Sequence, residues 1–340
     1  MTTIERYIAG LPKAELHLHI EGALEPELVF ALAARNRVAL PYPSVEALRC
    51  AYDFVNLQEF LDLYYQATQV LLTAQDFHDL AASYLARARA ETVRHAEIFF
   101  DPQAHLRRGV AFEALMEGLV GALDAAAGAG GPTSRLIMCF LRDLDEADAL
   151  ETLDKARPWL GRIAGVGLDS AEAGNPPEKF ARLFERARAM GLRVVAHAGE
   201  EGPAAYVSQA LDILHVERID HGVHAIDDAA LVARLARSRT PLTICPLSNV
   251  RLRVYPDMRA HPIRRLMAAG ALVTVNSDDP AYFGGYVNAN YLAITEAFAL
   301  SPAELASLAR NSFDASFLSE PEKRARIAEV DAYEASFSAG

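Results

Sequence analysis

Four short segments of the chain each end an apolar stretch with residues able to bind a metal or move a proton: His17-Leu18-His19, His197-Ala198-Gly199-Glu200, Asp220-His221-Gly222 and Ser277-Asp278-Asp279. His17 and His19 are two apart, so on an extended strand both imidazoles leave the same face and can grip one cation. His197 follows the apolar run Leu192 to Ala196, and Asp278 follows the run Ala271 to Val275, so each can add a ligand from the C-terminal end of its own strand. Three neutral imidazoles and one carboxylate suit zinc, and the same set would hold iron, cobalt or manganese. A lone HxH is weak evidence, but four such strand ends in one chain favour a hydrolytic metal site.

A metal with an open coordination position lowers the pKa of water towards about 7, which makes hydroxide available at neutral pH. A base must then manage the water proton, and His221, flanked by Asp220, is the candidate. Glu200 lies three residues after His197, where strand turns to helix. A carboxyl there, partly desolvated, has a raised pKa and can serve as general acid. Glu201 is expected to be solvated. Asp278 and Asp279 are adjacent, and the turn at Pro280 can bring both to the pocket, one to bind metal and the other substrate.

These residues need a scaffold that gathers strand ends. Strand-like segments recur at Glu15 to His19, His95 to Asp101, Arg135 to Leu141, Ile163 to Asp169, Arg193 to His197, Arg218 to His221, Pro241 to Pro246 and Leu272 to Ser277, with helical segments between them. Eight alternating units predict an α/β fold, a (β/α)8 TIM-type barrel with its site at the strand C-termini, formed by residues 1–340 as a single domain. The long helical stretch from about residue 26 to 91 exceeds one crossover helix. Because it follows the first strand, part of it is expected to form a lid or pocket wall, with Phe54, Phe60, Tyr64 and Tyr65 as candidate lining. Ala125 to Pro132 is expected to be a flexible loop at the opposite face.

Composition excludes several classes. With 45 acidic and 33 basic residues the formal charge is -12, which disfavours nucleic-acid or anionic-membrane partners. Cys50, Cys139 and Cys245 are widely spaced and form no CxxC, so buried reduced thiols are expected rather than a disulfide framework or thiolate cluster. Met1 to Gly10 lacks a basic segment followed by an apolar one, and no window approaches the roughly 20 apolar residues of a membrane span, so a cytoplasmic protein is expected. Strand 4 ends Leu168-Asp169-Ser170-Ala171-Glu172 without the lysine that bridges two metals in binuclear barrel hydrolases, which favours one metal. The HxE and PCxxC signature of zinc cytidine deaminases is missing.

From Leu11 to about Tyr286 the chain resembles the adenosine/adenine deaminase family of the amidohydrolase superfamily. The resemblance is carried by LPKAELHLHIEGAL (Leu11 to Leu24), VAHAGEEG (Val195 to Gly202), RIDHGV (Arg218 to Val223), CPLSN (Cys245 to Asn249) and NSDDPAYFG (Asn276 to Gly284). It implies one zinc ion per chain held by His17, His19, His197 and Asp278. It further implies that Glu200 protonates the purine N1, His221 handles the proton of the attacking water and Asp279 meets N7. Two positions depart from the nucleoside deaminases of that family, which carry an aspartate where this chain has Glu21 and a glycine where it has Glu172. Both changes fill space a ribose would need, and Glu172 is expected to accept a hydrogen bond from an N–H that exists only on the free base. LHIEGALEPEL, FFDPQ and GVGLDSAEAGNPP also resemble the branch acting on free adenine. The expected partner is therefore a small purine. Alternatives are an N6-substituted adenine, adenosine, or a catalytically silent purine- or metal-binding module. The last is disfavoured because a binding-only protein needs neither Glu200 nor His221.

Overall fold

The apolar runs form eight strands that pair in parallel and in chain order: β1 Lys13–His19, β2 Val93–Phe100, β3 Thr133–Leu141, β4 Ile163–Asp169, β5 Arg193–Ala198, β6 Arg218–His221, β7 Leu242–Ile244 and β8 Val273–Val275. They are seen in a computed structural model that describes residues 1–338. Helices flank the strands, and the (β/α)8 architecture expected from the alternation is the one observed. The limits of β4 and β6 coincide with those predicted. β7 and β8 are only three residues each, β7 giving way to a helix that opens at Pro246.

Closure runs through a single residue of the site. The His19 N–H donates to the Asp278 carbonyl at 3.0 Å, and the Asp278 N–H donates to the His17 carbonyl at 3.1 Å. This seam joins the end of β8 to β1 and places the Asp278 carboxylate beside both imidazoles of the HxH pair.

Alternation along the strands sorts the barrel interior from its helical coat. On β2, Ile98 and Phe100 belong to the outer core, whereas Phe99 meets Ile137, Cys139 and Val195 in a small inner cluster. Two residues earlier, Glu97 also turns inward and pairs with Arg218 of β6 at 2.6 Å. The Arg218 guanidinium donates to the Leu16 carbonyl at 3.1 Å and lies 4.7 Å from the centroid of the Phe317 ring. The interior is thus an ion-paired floor, an apolar middle layer and a polar mouth.

Helix α1 (Thr3–Gly10) precedes β1. Between β1 and β2 lie α2 (Pro26–Asn36), α3 (Val45–Ala51), α4 (Leu57–Ala67) and α5 (Ala74–Ala90), so the predicted insertion is helical throughout its main segments. Asn56 caps α4 and Thr73 begins a capping box on α5. Two expectations fail here. Cys50 is exposed on the outer face of the short helix α3, while Cys139 and Cys245 are buried thiols. Ala125 to Gly128 is not loop but the last turn of the helix Phe112–Gly128, since an alanine run sustains a helix that glycine ends only afterwards. Among the described residues no helix is long and apolar enough to cross a membrane.

Candidate active site

The imidazole Nε2 atoms of His17, His19 and His197 converge at the mouth. His17 Nε2 lies 3.3 Å and His19 Nε2 3.5 Å from the same Asp278 oxygen, Oδ1, and the Nε2 atoms of His19 and His197 are 3.2 Å apart. All four side chains are buried, and His17 Nε2 has no hydrogen-bond partner. Buried lone pairs that face one another without a proton between them suit a cation, and the donor set of three imidazoles and a carboxylate fits zinc. His221 also comes within 4.8 Å of His17, His197 and Asp278, but its Nε2 faces the other Asp278 oxygen at 3.6 Å and Glu200 Oε2 at 3.5 Å.

Each ligand imidazole is oriented from behind. His17 Nδ1 lies 3.1 Å from both the carbonyl and the hydroxyl of Thr243, whose hydroxyl donates to Asp220 at 2.7 Å. His19 Nδ1 faces Asp169 at 3.5 Å, and His197 Nδ1 faces Asp220 at 3.8 Å. Burial, reinforced by the neighbouring His17 and His19, holds His197 well below the ordinary histidine pKa, and hence neutral. Burial also pushes the Asp278 carboxyl up, but His17 and His221 outweigh it and hold the group well below the usual range.

The backbone strains to deliver these groups. Ser170, His221 and Asp278 follow or end strands with φ of 69°, 61° and 65°, a left-handed conformation that residues other than glycine adopt at a cost. At Gly22 a side-chain carbon would stand 2.0 Å from Asp279 Oδ1, so only glycine lets the loop after β1 pass against that carboxylate.

Glu200, Asp278 and Asp279 line one cleft with His19, His197 and His221. Burial, followed by the charge of Asp278, raises the Glu200 carboxyl well above the ordinary range, and the same two causes raise Asp279. Glu201 is exposed, as expected. Helix α4 contributes Leu57, Phe60, Leu61, Tyr64 and Tyr65 to the wall, so the insertion after β1 does enclose the site. Phe54 stands one layer behind, against Phe60 and Phe283.

Glu172 and Glu21 do not take the substrate-facing places expected of them. The Glu172 carboxylate accepts the backbone N–H groups of Gly199 at 2.7 Å, Glu200 at 3.0 Å, and Glu201 and Gly202 at 2.9 Å. A residue expected to select substrate is instead the acceptor around which the loop carrying Glu200 is folded. Glu21 is fully buried behind the pocket wall, where Oε1 accepts the Asp101 N–H at 3.2 Å and lies 2.8 Å from His105 Nε2.

The residues that do face the cleft on that side are Asp101, Asp169 and Ser170, with Tyr65 Oη 3.4 Å from Ser170 Oγ. Neither oxygen of Asp169 has a donor, and Asp101 Oδ1 has none. Asp101 and Asp169 were not singled out from sequence, although each ends a predicted strand and the rule that found the other site residues applied to them equally.

A family model described as adenosine deaminase matches residues 12–333. The chain belongs to the adenosine deaminase family. Among curated relatives, the adenine deaminase of Sphingopyxis alaskensis is 62% identical over 327 residues, covering 96% of each chain, and that of Ralstonia nicotianae is 63% identical over 328 residues, covering 95% of each. Among solved structures, an adenine deaminase from Arthrobacter aurescens superposes with a TM-score of 0.94 at 53% identity, over 95% of this chain and 99% of that one. An amidohydrolase from Burkholderia ambifaria with bound zinc gives 0.92 at 30% identity, over 100% of this chain and 96% of that one. Membership in this deaminase family makes the chain an aminohydrolase, and the buried histidine and aspartate group is a candidate metal site.

Proposed function

We propose that the protein hydrolyses adenine to hypoxanthine and ammonia, with one zinc ion held by His17, His19, His197 and Asp278. The observation that carries this reading is the placement of a buried carboxyl of raised pKa, Glu200, and an imidazole, His221, on one side of a converged ligand set. A bound zinc ion would lower the pKa of water towards about 7. Glu200, protonated through burial, donates to the purine N1 as C6 becomes tetrahedral, and Asp279 engages N7. His221 holds the attacking oxygen in place. The C6–N bond then breaks as the added hydroxyl passes its proton to the amino nitrogen, which leaves as ammonia; the other water proton restores the Glu200 carboxyl, and oxygen stays on C6 as the carbonyl.

Free adenine fits better than a nucleotide. Among the described residues no lysine or arginine lines the cleft, whereas Asp101, Asp169, Glu200, Asp278 and Asp279 all do, so a phosphate would find no cationic side chain to receive it. The cleft is tight, with a cavity volume of about 50 Å³, which favours a small planar base over a nucleotide. With Glu172 occupied by the backbone, the acceptor for the N–H found only on the free base becomes the Asp101 and Asp169 wall. The identity of close relatives named adenine deaminase supports the same substrate.

The reading is tested by ammonia release and loss of the adenine absorbance band, using zinc-loaded protein and matched concentrations of adenine and adenosine. Turnover of adenine alone is expected. A preference for adenosine would sink the free-base assignment. If neither reacted, N6-substituted adenines would be tried next.

A further inference from the structure

Behind His221 lies a buried chain of hydrogen bonds whose direction is set at one end by the backbone. The Ile263 N–H can only donate, and it points at His261 Nδ1 at 3.1 Å. His261 Nδ1 must therefore be an acceptor, which leaves its proton on Nε2. That Nε2 lies 3.1 Å from Asn249 Oδ1, so the imidazole donates to the amide oxygen. The Asn249 amide nitrogen is thereby turned to His221 Nδ1, also at 3.1 Å, and donates to it. Asn249 is fully buried and His261 nearly so, so no solvent competes for these bonds. Burial pushes the His261 imidazole down to about 3, consistent with a neutral ring.

We propose that Asn249 and His261 are positioning residues that hold the proton of neutral His221 on Nε2, making it a donor towards the attacking oxygen and barring it from the metal's ligand set. The three ligand imidazoles have the opposite arrangement. His17 Nδ1 meets a backbone carbonyl at 3.1 Å, which keeps its proton on Nδ1 and a lone pair on Nε2, and His19 and His197 turn Nδ1 towards Asp169 and Asp220 at 3.5 and 3.8 Å, so it is Nε2 that each presents to the others. Hydrogen-bond direction thus separates His221, a donor at Nε2, from His17, a lone pair at Nε2, and ring orientation groups His19 and His197 with His17. This replaces general-base action by His221 in the resting site with orientation of the water through a donated bond.

The proposal rests on the metal-dependent reading above, but its readout needs no substrate. Zinc-loaded protein labelled with ¹⁵N-histidine would be examined by two-dimensional NMR that correlates ring nitrogens with ring carbon-bound protons, the His221 signals being assigned by their loss in His221→Gln. His221 is expected to show a protonated Nε2 and an unprotonated Nδ1 whether or not adenine proves to be the substrate. Asn249→Asp, nearly isosteric, puts an acceptor where a donor stood and should move the proton to Nδ1. In the cobalt(II)-loaded form the same variant should alter the visible d–d spectrum, because His221 Nε2 gains a lone pair beside the ion. It should lose roughly 10–100-fold in kcat with KM little changed. His261→Leu should fall towards that level, while His261→Gln, which can still donate to Asn249, should recover most of the loss. A protonated Nδ1 on His221 in the parent protein overturns the proposal. So does an Asn249→Asp variant with unchanged NMR and cobalt spectra. Should that variant fail to fold, the parent spectrum alone decides.

Discussion

Glu97 at the barrel floor and Glu200 at the mouth are the same residue type, both buried, and their acidities move in opposite directions. Burial pushes Glu97 up, but Arg218 and His95 outweigh it and bring the carboxyl down to about 2. Glu200 has no cation against it, only Asp278, Glu201 and Glu172 with Arg142 as a weaker counterweight, so burial and repulsion both raise it. The floor spends most of its hydrogen-bonding capacity on itself, Arg218 Nε excepted: Glu97 takes Arg218, His95 and the Phe317 N–H, and Lys13 donates to the Ile8 and Glu91 carbonyls, Thr92 and Asn288. The mouth leaves His17 Nε2, Glu200 Oε1, Asp279 Oδ1 and both Asp169 oxygens without partners. Unmet bonding capacity of that kind is held for a ligand at the expense of stability.

The comparison breaks most visibly at Glu200. Glu200→Gln removes the proton donor and should lower kcat by about 10²–10⁴, with the thermal midpoint unchanged or raised because a carboxyl whose ionisation burial and Asp278 oppose gives way to a neutral amide. The matching change at the floor is Arg218→Met, which leaves Glu97 a buried carboxylate without its guanidinium partner. It should cost about 3–5 kcal/mol by urea unfolding while folded protein keeps its KM. Equal loss of activity and stability in both variants would erase the distinction between the two ends.

Acid sharpens it. The folded-state pKa of Glu97 lies below its unfolded value, so its contribution is complete above pH 4.5 and is lost as pH falls towards about 2. That amounts to about 3 kcal/mol across the window, and Arg218→Met should flatten this part of the acid-unfolding curve. Glu200 has the opposite sign: its raised pKa favours the protonated form in the folded state, and catalysis should decline as pH rises through that pKa. An acid-stability curve unaltered by Arg218→Met would show that the pair does not hold the floor.

The barrel and the convergence of the candidate metal ligands were legible because period-two apolar runs and strand-end histidines are local signals. β4 and β6 were bounded correctly, and His17, His19, His197 and Asp278 meet as their spacing implied. What stayed hidden was direction. Nothing in the neighbours of Glu172 says that its carboxylate folds under the Gly199 to Gly202 backbone, nor that Glu21 turns to His105, 84 residues away. Asn249 and His261 escaped notice for the same reason, since their meaning lies in which atom donates. Arg142, which holds the His197 carbonyl at 2.7 Å, is equally silent in sequence.

The mildest test concerns the wall where Asp101 faces Asp169. Burial and then the charge of Glu21 raise Asp101, and burial and then Asp101 raise Asp169. In the absence of a ligand, two carboxyls with unpartnered oxygens oppose each other there at a cost to folding. Asp101→Asn removes one of the charges, keeps an oxygen able to accept from Tyr64, now 3.3 Å from Asp101 Oδ2, and should raise stability by about 1 kcal/mol. The same change weakens the acceptor offered to the base N–H, so KM for adenine should rise roughly tenfold with kcat nearly unchanged. Calorimetry and initial rates on one preparation measure both. A lower thermal midpoint with unchanged KM would place Asp101 with Glu97 as part of the framework, and would move the selector for the free base elsewhere. A higher midpoint with raised KM shows the wall to be unstable for the reason Glu200 is: its partner is the substrate.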